Sequence, residues 1–210
     1  MDDIRVKFEP GEVDKCQKFA EEVTPTSMDC YKDRGQEDRL HSIRQHREGK
    51  LAEFISYRYL RDRGFTLEPP DLNVYNGEGK SWRSDLLLHL PDRDLKIAVK
   101  SQSLDKQKLY TASWIFGYAD KDGIQSPKDT DEMFYPQYQK NVLIVPVTIS
   151  KEHGGGVIRA AVMAEDVVSE IEKSLPVLPH LQNSKRVLYG DCLKSLPEEF
   201  RWRWPFNERS

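Results

Sequence analysis

The sequence has few cysteines, no long apolar run and no excess of basic residues. Its cysteines, Cys16, Cys30 and Cys192, are odd in number and have no CxxC spacing, so they indicate neither a zinc site nor a disulfide framework. No apolar run approaches the length of a membrane span, and the acidic N-terminus lacks the apolar core of a signal peptide. We therefore expect a cytoplasmic protein that does not engage a membrane.

The chain also lacks the positive charge that is typical of a non-specific nucleic-acid binder. Its net charge is −3, with 38% hydrophobic and 32% charged residues, which is a polar but globular balance. The basic residues are unevenly placed, and a local basic face can attract phosphates even on a mildly acidic chain. The cluster comprises Arg39, Arg44, Arg47, Lys50, Arg58, Arg61 and Arg63.

A length of 210 residues fits one domain with a moderate core and some additions. We expect an N-terminal arm over 1–36, irregular apart from a short helix over 13–23 and broken at 24–27. The core is expected over 37–175, with a strand at 141–149, a turn at 154–156, a partner strand at 157–163 and a helix at 164–175. The C-terminal extension, 176–210, alternates aromatics with arginines over 200–206, which suits base stacking and docking on the core equally.

Residues 37–63 are expected to be helical, as two helices that meet near 46–48. Apolar residues recur at helical spacing from Leu51 to Leu60, and Gly64 is a natural stop. Glu53 lies on a neighbouring face of small and apolar residues, where burial is costly without a partner or a metal. The alternative is a surface glutamate on a highly charged helix.

Two short apolar runs, 85–88 and 95–103, flank the turn-like residues 91–94 and predict a β-hairpin. Asp85 opens the first run, and Lys100 directly follows the apolar part of the second. A carboxylate and an ammonium at the ends of paired strands can converge on one patch of space. The alternative is a hairpin whose charged residues lie in water.

A helix with Glu53, a strand with Asp85 and a strand with Lys100 and Gln102 follow one another in a familiar order. This order resembles the PD-(D/E)XK nuclease superfamily, which includes many restriction endonucleases, Holliday-junction resolvases and phage exonucleases. The resemblance covers roughly residues 45–165. It implies an α/β fold with a restriction-endonuclease-like mixed central β-sheet of about four or five strands, flanked by helices.

The resemblance also implies a Mg²⁺ site, with Mn²⁺ as an alternative ion. Asp85 and a carboxylate at position 98 would be direct ligands, and the main-chain carbonyl of Val99 would be a third. Glu53 would bind a second ion or order metal-bound waters. Lys100 would orient the attacking water and offset phosphate charge, while Gln102 would orient water or contact the phosphate.

One position departs from the family pattern, because Ala98 stands where the family has Glu or Asp. Alanine cannot ligate a metal, so we expect this chain to bind DNA but cleave it very slowly. Three explanations stay open: a deliberate substitution that traps an enzyme on uncut substrate, a carboxylate relocated to a residue such as Glu48, or a natural inactive member. We favour the first.

The resemblance therefore implies a Mg²⁺-dependent, restriction-like DNA endonuclease, which we expect Ala98 to inactivate. Cutting both strands of a duplex needs two active sites, which a homodimer supplies. The alternatives are a non-cleaving nucleic-acid-binding module on a nuclease fold, and a junction resolvase or exonuclease of the same superfamily. The residues expected to contact DNA are Arg44, Arg47, Lys50, Arg83 and Ser101.

Overall fold

The computed structural model describes residues 3–32, 38–75, 85–103, 112–117, 136–150 and 154–204. The strands are β1 (Ile4–Lys7), β2 (Leu86–His89), β3 (Asp94–Ser103), β4 (Ser113–Gly117), β5 (Val142–Ser150), β6 (Gly155–Ile158), β7 (Val162–Met163) and β8 (Lys185–Tyr189). The helices are α1 (Glu12–Lys32), α2 (Arg39–Arg61), α3 (Ala164–Lys173), α4 (Gly190–Ser195) and α5 (Glu198–Arg201).

The central sheet is six-stranded, with the order β1-β6-β5-β3-β2 and with β7 paired to β5. The β3–β5 pair is parallel and the other pairs are antiparallel, so the sheet is mixed. A separate two-stranded sheet joins β4 to β8. The structure thus confirms the predicted α/β class and mixed central sheet. The hairpin of β2 and β3 also forms as predicted, closed by a hydrogen bond from Leu90 N to Arg93 O at 2.9 Å.

Side chains alternate across β3, and this alternation divides the interior into two apolar clusters. Leu95, Ile97 and Val99 pack with residues of α2 on one face of the sheet. Ala98 belongs to the cluster on the opposite face, with residues of β4, α3 and α4. Strand β5 is buried along its whole length, as expected for a strand that is covered on both faces.

Helix α2 is a single continuous helix, so the prediction of two helices meeting near 46–48 is wrong. The Asp38 side chain caps its start by accepting hydrogen bonds from Leu40 N and His41 N. Gly64, at a φ of +84°, follows its end as the sequence indicated. No proline interrupts 46–48, and a lone Gly49 lowers helix propensity without ending a helix.

The prediction that 24–27 breaks the N-terminal segment is also wrong, because α1 continues through Pro25 to Lys32. The hydroxyls of Thr24 and Thr26 donate to the carbonyls of Ala20 and Val23, which satisfies main-chain acceptors around the proline. Strand β1 lies at the edge of the central sheet, and α1 packs against α2. The region expected to be mostly irregular therefore contains two regular elements.

The predicted strand over 157–163 is divided into β6 and β7. Pro146 of β5 has no N–H to donate, and its carbonyl accepts from Arg159 N at 2.9 Å at the interruption. In β6, a Cβ on Gly156 would lie 2.5 Å from Cδ1 of Ile55. Glycine at that position therefore lets α2 approach the sheet closely.

The C-terminal extension returns to the core. Trp202 and Trp204 are buried in the cluster beneath α2, and the Trp204 ring centroid lies 5.0 Å from that of Tyr59. Main-chain hydrogen bonds connect Ala161 to Arg201 and Arg203. These aromatics thus have the docked position, one of the two alternatives that the sequence left open. Among the described residues, no helix combines the length and apolar character needed to cross a bilayer.

Candidate active site

Asp85 is held against β3 by its own side chain. Its Oδ2 accepts a hydrogen bond from the main-chain N–H of Val99 at 2.7 Å. The β2–β3 ladder begins at Leu86 opposite Ile97, and one further step of this register sets Asp85 across from Ala98. The carboxylate therefore satisfies a β3 N–H just beyond the last backbone pair. Because N–H and C=O of one residue point toward the same neighbouring strand, the Val99 carbonyl lies on this edge too.

Lys100 lies two residues beyond Ala98 and therefore on the same face of β3. Its Nζ is 5.5 Å from the centroid of the Phe116 ring. Burial lowers the pKa of Lys100, and the negative charge of Asp85 opposes that shift. Burial likewise raises the pKa of Asp85, against the effects of the Lys100 ammonium and the Val99 N–H. The two groups are thus partly desolvated and sense each other's charge.

Glu53 projects from α2 on the other side of the sheet and is only 6% exposed. Its Oε2 accepts a hydrogen bond from Nζ of Lys50 at 2.8 Å. Burial raises the pKa of Glu53 from an ordinary 4.5 to about 8; Lys50 opposes this shift, and the charges of Asp85 and Asp71 add to it. Although an ion pair at this distance favours the carboxylate, the cost of desolvation outweighs it here.

Asp71 is a further acidic residue whose charge acts on Glu53, and the sequence analysis missed it. Its Oδ1 accepts from both the N–H and the side-chain amide of Asn73, and its Oδ2 accepts from the Tyr75 hydroxyl. Burial acts to raise the pKa of Asp71, but these hydrogen bonds and the Lys50 charge outweigh it and lower the pKa. An Asp followed two residues later by Asn indicates a local turn. No sequence signal connected it with Glu53.

Asp85 interacts electrostatically with two sets of charged groups. The charges of Lys100 and Lys50 oppose the rise in the Asp85 pKa. The charge of Asp85 in turn raises the pKa of Glu53. The structure places Lys100 on β3 and Glu53 on the flanking helix as predicted, whereas Asp85, predicted to open the neighbouring strand, is the residue directly before β2. The catalytic roles of these residues stay predictions.

Position 98 lies in an apolar environment. Ala98 is 8% exposed and packs in a cluster that includes Trp114, Phe116 and Ile144. Among the described residues, no set of three or more His, Cys, Asp or Glu side chains is placed to hold a metal ion. Asp85, Glu53 and the Val99 carbonyl stay the predicted ligands of the ion, and magnesium commonly takes one or two protein carboxylates together with substrate phosphates.

Gln102 connects β3 to β4. Its Oε1 accepts from the main-chain N–H of Ser113 at 2.7 Å, and its Nε2 lies 3.5 Å from the Ser113 hydroxyl. The amide therefore already has a structural contact at the end of β3. Its predicted contact with water or phosphate would have to use the remaining hydrogen-bonding capacity of this amide.

The residues predicted to contact DNA are spread over different surroundings. Arg44 contacts the ring of His41 at 2.9 Å, and Arg47 donates to Gln17 of α1 at 2.8 Å. Lys50 is engaged with Glu53, while Ser101 is half-buried on β3. Arg83 falls outside the residues that the structure describes. Arg44 and Arg47 are thus the described arginines of this set, both on the first half of α2.

Comparison of the whole chain with known proteins gives no match: no protein-family model, curated protein or solved structure is similar to it.

Proposed function

We propose that this protein is a Mg²⁺-dependent phosphodiesterase of the restriction-endonuclease type that acts on DNA, and that Ala98 leaves its site incomplete. One observation carries the proposal. The Asp85 carboxylate is fixed on the edge of β3 by the Val99 N–H, at a position where its charge reaches both Lys100 and Glu53. Two acids and a partly desolvated lysine in this relation suit phosphodiester hydrolysis.

Asp85, Glu53 and the main-chain carbonyl of Val99 would hold the ion. Bound Mg²⁺ supplies Lewis-acid stabilisation of the phosphate and activation of water. Asp85 contributes a carboxylate whose orientation is fixed by a 2.7 Å hydrogen bond rather than by a free side-chain rotamer. Such fixation lowers the cost of organising the site when substrate binds.

Lys100 would act on the water and the phosphate. Burial against Phe116 lowers its pKa, so a larger fraction of the amine is neutral near pH 7 than for a lysine in water. The neutral amine can accept a proton from water, and the ammonium can offset negative charge on the phosphate. The charge of Asp85 opposes this lowering of the Lys100 pKa.

Ala98 is the reason to expect a low rate of cleavage. The side chain at this position shares a face with Lys100 and is set across from Asp85 by the register of the hairpin. A carboxylate there would join the two groups that the proposal needs. Its absence removes a ligand but no phosphate contact, so DNA binding through arginines and lysines is expected to persist.

A specific observation favours a second candidate, a non-cleaving DNA-binding module on the same fold. Ala98 packs among aromatic and aliphatic side chains, and the amide of Gln102 is joined to Ser113. Both features suit a strand that has become part of a structural core. A junction resolvase or exonuclease would use the same residues, and the choice among these substrates depends on surfaces beyond the site.

The decisive experiment compares the unchanged chain with Ala98→Glu on end-labelled duplex, branched and single-stranded DNA in Mg²⁺. We expect Ala98→Glu to raise the cleavage rate by several orders of magnitude, since metal-site charge stabilisation contributes several kcal/mol to the barrier. Ala98→Gln is the matched control, because it has nearly the same volume but no charge.

A second control, Ala98→Glu with Lys100→Ala, should be inactive again. If Ala98→Glu folds and binds DNA but cuts none of these substrates, the nuclease proposal fails and the non-cleaving module is the better account. Binding is followed by fluorescence anisotropy and folding by circular dichroism, so that a loss of either is recognised separately from a loss of chemistry.

A further inference from the structure

The register of the central sheet extends the face that carries Lys100 as far as β1. Gln102 of β3, on the Lys100 face, is opposite Thr148 of β5. Thr148 is in turn opposite Val157 of β6, and Val157 is opposite Arg5 of β1. Side chains directly opposite one another in a ladder project to the same face. Thr148 is buried in the middle of this row, whereas Arg5 is exposed at its end, three strand spacings or about 14 Å from Gln102.

The neighbouring row, which contains Lys100, ends in an ion pair. Lys100 is opposite Pro146 of β5, and the Pro146 carbonyl accepts from Arg159 N at 2.9 Å, which continues the β5–β6 register by one step. One further step of the β1–β6 register sets Asp3 opposite Arg159, and the two side chains form an ion pair. The Arg159 guanidinium also donates to the Thr148 hydroxyl at 3.0 Å. Arg159 and Asp3 therefore lie on the Lys100 face.

The C-terminal extension adds a second guanidinium to this ion pair. Arg201 Nη2 donates to Asp3 Oδ1 at 2.8 Å, and Arg201 Nε donates to the Arg159 carbonyl at 3.1 Å. The side chains of Arg159 and Arg201 are 23% and 17% exposed, so both can still be reached from solvent. Two positive charges share one carboxylate, and the group therefore keeps a net positive charge.

The end of the Lys100 face at β1 is basic. Strands β1 and β6, with the residue that flanks each, place six residues there: Asp3, Arg5, Lys7, Gly155, Val157 and Arg159. Arg5 and Lys7 are exposed, whereas Ile4 and Val6 on the other face pack against the core cluster that includes residues of α2. Together with Arg201, this end of the face has four basic residues and one acid. We call Arg5, Lys7, Arg159 and Arg201 the basic strip.

The position of the basic strip agrees with the direction from which Lys100 would be approached. Helix α2 packs on the opposite face of the sheet, so a substrate phosphate at Lys100 meets the face of the strip rather than the first half of α2. Positive charges on a rigid sheet are complementary to the regular negative charge of a nucleic-acid backbone. We infer that the basic strip binds the phosphate backbone of DNA and that the carboxylate of Asp3 limits the strength of this binding. The inference rests on the proposed function, which makes DNA the polyanion that this face meets.

Charged residues on an edge strand also have a simpler role, which is to prevent the strand from pairing with another chain. In that simpler account, Arg5 and Lys7 are only solvated, and Asp3 only ties the N-terminal segment to Arg159 and Arg201. Removal of the charges of Arg5 and Lys7 would then affect DNA binding no more than removal of two other surface charges. Each phosphate contact steepens the salt dependence of DNA binding, so the salt slope separates the two accounts.

The first test compares two double variants of the full chain that change the net charge equally. Arg5→Gln with Lys7→Gln alters the strip, and Lys15→Gln with Lys18→Gln alters two exposed lysines of α1. Binding of a labelled DNA duplex is followed by fluorescence anisotropy at several salt concentrations. We expect the β1 variant to bind on the order of tenfold or more weakly at about 0.1 M salt, with a salt slope smaller by about 2. The α1 variant should keep the slope of the unchanged chain.

The second test changes the same surface in the opposite direction. Asp3→Asn leaves Arg159 and Arg201 without their shared carboxylate, so we expect DNA to bind a few-fold more tightly and with a steeper salt dependence. Asp14→Asn, at an exposed acid of α1, is the matched control and should bind like the unchanged chain. If Asp3→Asn is less stable, DNA should still raise its melting temperature by more than that of Asp14→Asn.

The inference is overturned if the two double variants share one salt slope, or if DNA binds and stabilises Asp3→Asn and Asp14→Asn equally. These results are separable from cleavage. Cleavage by Ala98→Glu, together with an unchanged salt slope in the β1 variant, removes the basic strip and keeps the nuclease proposal. A smaller slope in the β1 variant, together with an Ala98→Glu variant that cuts nothing, keeps the basic strip and favours the non-cleaving module.

Discussion

The carboxylate of Asp85 accepts the main-chain N–H of Val99 at 2.7 Å, directly beyond the point where the β2–β3 ladder ends. The side chain thus replaces a backbone acceptor at a buried residue of β3. This replacement has two effects. It satisfies a donor that would otherwise be orphaned, and it holds one acid beside Lys100 without any contribution from a ligand.

This relationship predicts different stabilities for two substitutions at Asp85. Asp85→Asn removes the charge but keeps an oxygen that can accept from Val99, whereas Asp85→Ala removes both. Since the two variants share the loss of charge near Lys100, their difference isolates the hydrogen bond. We expect Asp85→Ala to be less stable than Asp85→Asn by about 1–2 kcal/mol, measured by urea unfolding.

Asp85→Asn also serves as the internal control for the effect of charge. Equal free energies of unfolding for Asp85→Asn and Asp85→Ala would mean that the Val99 N–H finds another acceptor. In that case the hydrogen bond from Val99 is not what fixes the Asp85 carboxylate at the edge of β3.

The raised pKa of Glu53 predicts a pH dependence of stability. The folded-state pKa is about 8 and the ordinary value is 4.5, so between these pH values the folded state holds a proton that the unfolded state has lost. The folded state binds more protons there, and stability should fall as pH rises from 4.5 to 8. The stabilising contribution is fully present only below the lower value.

Glu53→Gln should remove this part of the decline, because glutamine does not titrate. Urea unfolding of both chains at several pH values between 5 and 8 measures the two slopes, which should differ by at most about 1.4 kcal/mol per pH unit. Identical slopes would show that Glu53 is ionised in the folded protein throughout this range, with Lys50 as its full counter-charge.

Local patterns predicted the elements that carry the candidate site. Helix α2 was predicted from its apolar spacing and the Gly64 stop, and the hairpin from two β-type runs around a short turn. Both patterns depend only on residues that are near one another in sequence. Lys100 and Glu53 were therefore placed on the correct elements, and Asp85 lies one residue before its predicted strand. The continuous path of α1 through Pro25 could not be predicted in this way, because its packing against α2 involves residues distant in sequence.

The residues that the sequence analysis missed depend on how distant segments meet. Asp71 reads as an ordinary turn residue, and only the folded chain brings its charge near Lys50 and Glu53. Lys50 is a different case, because it was assigned to a phosphate-binding face of a basic helix although its ammonium lies against Glu53, three residues along the same helix. Gln102 likewise received a site role from its spacing alone, whereas its amide contacts the backbone of Ser113.

Oligomeric state provides a separate prediction for the proposed endonuclease. Cutting both strands of a duplex at one site needs two active sites, and a two-fold symmetric dimer presents them with one interface. We expect light scattering to give the mass of a dimer when the protein is bound to duplex DNA. A monomer both alone and with DNA would contradict this prediction and would favour an enzyme that cuts a single strand.

The last prediction concerns the source of a carboxylate in a chain that has alanine at position 98. Glu48 was the candidate suggested by the sequence, but it lies five residues before Glu53 on α2, about 140° away around the helix. Asp71, in contrast, lies close enough for its charge to disfavour ionised Glu53 and to be favoured by Lys50. If a relocated acid contributes to metal binding, Asp71 is therefore the better candidate.

Asp71→Asn and Glu48→Gln are matched changes, since each replaces one carboxylate by its amide. We expect Asp71→Asn to weaken Mn²⁺ binding to the unchanged chain by about tenfold, and to lower any Mg²⁺-dependent cleavage in proportion. Glu48→Gln should change neither quantity. The amide oxygen introduced by Asp71→Asn can still accept hydrogen bonds at this turn, so melting temperatures should show that the turn is kept. A larger effect of Glu48→Gln than of Asp71→Asn would indicate that Glu48 on α2 supplies the relocated carboxylate. Asp71 would then have only a structural role in its turn.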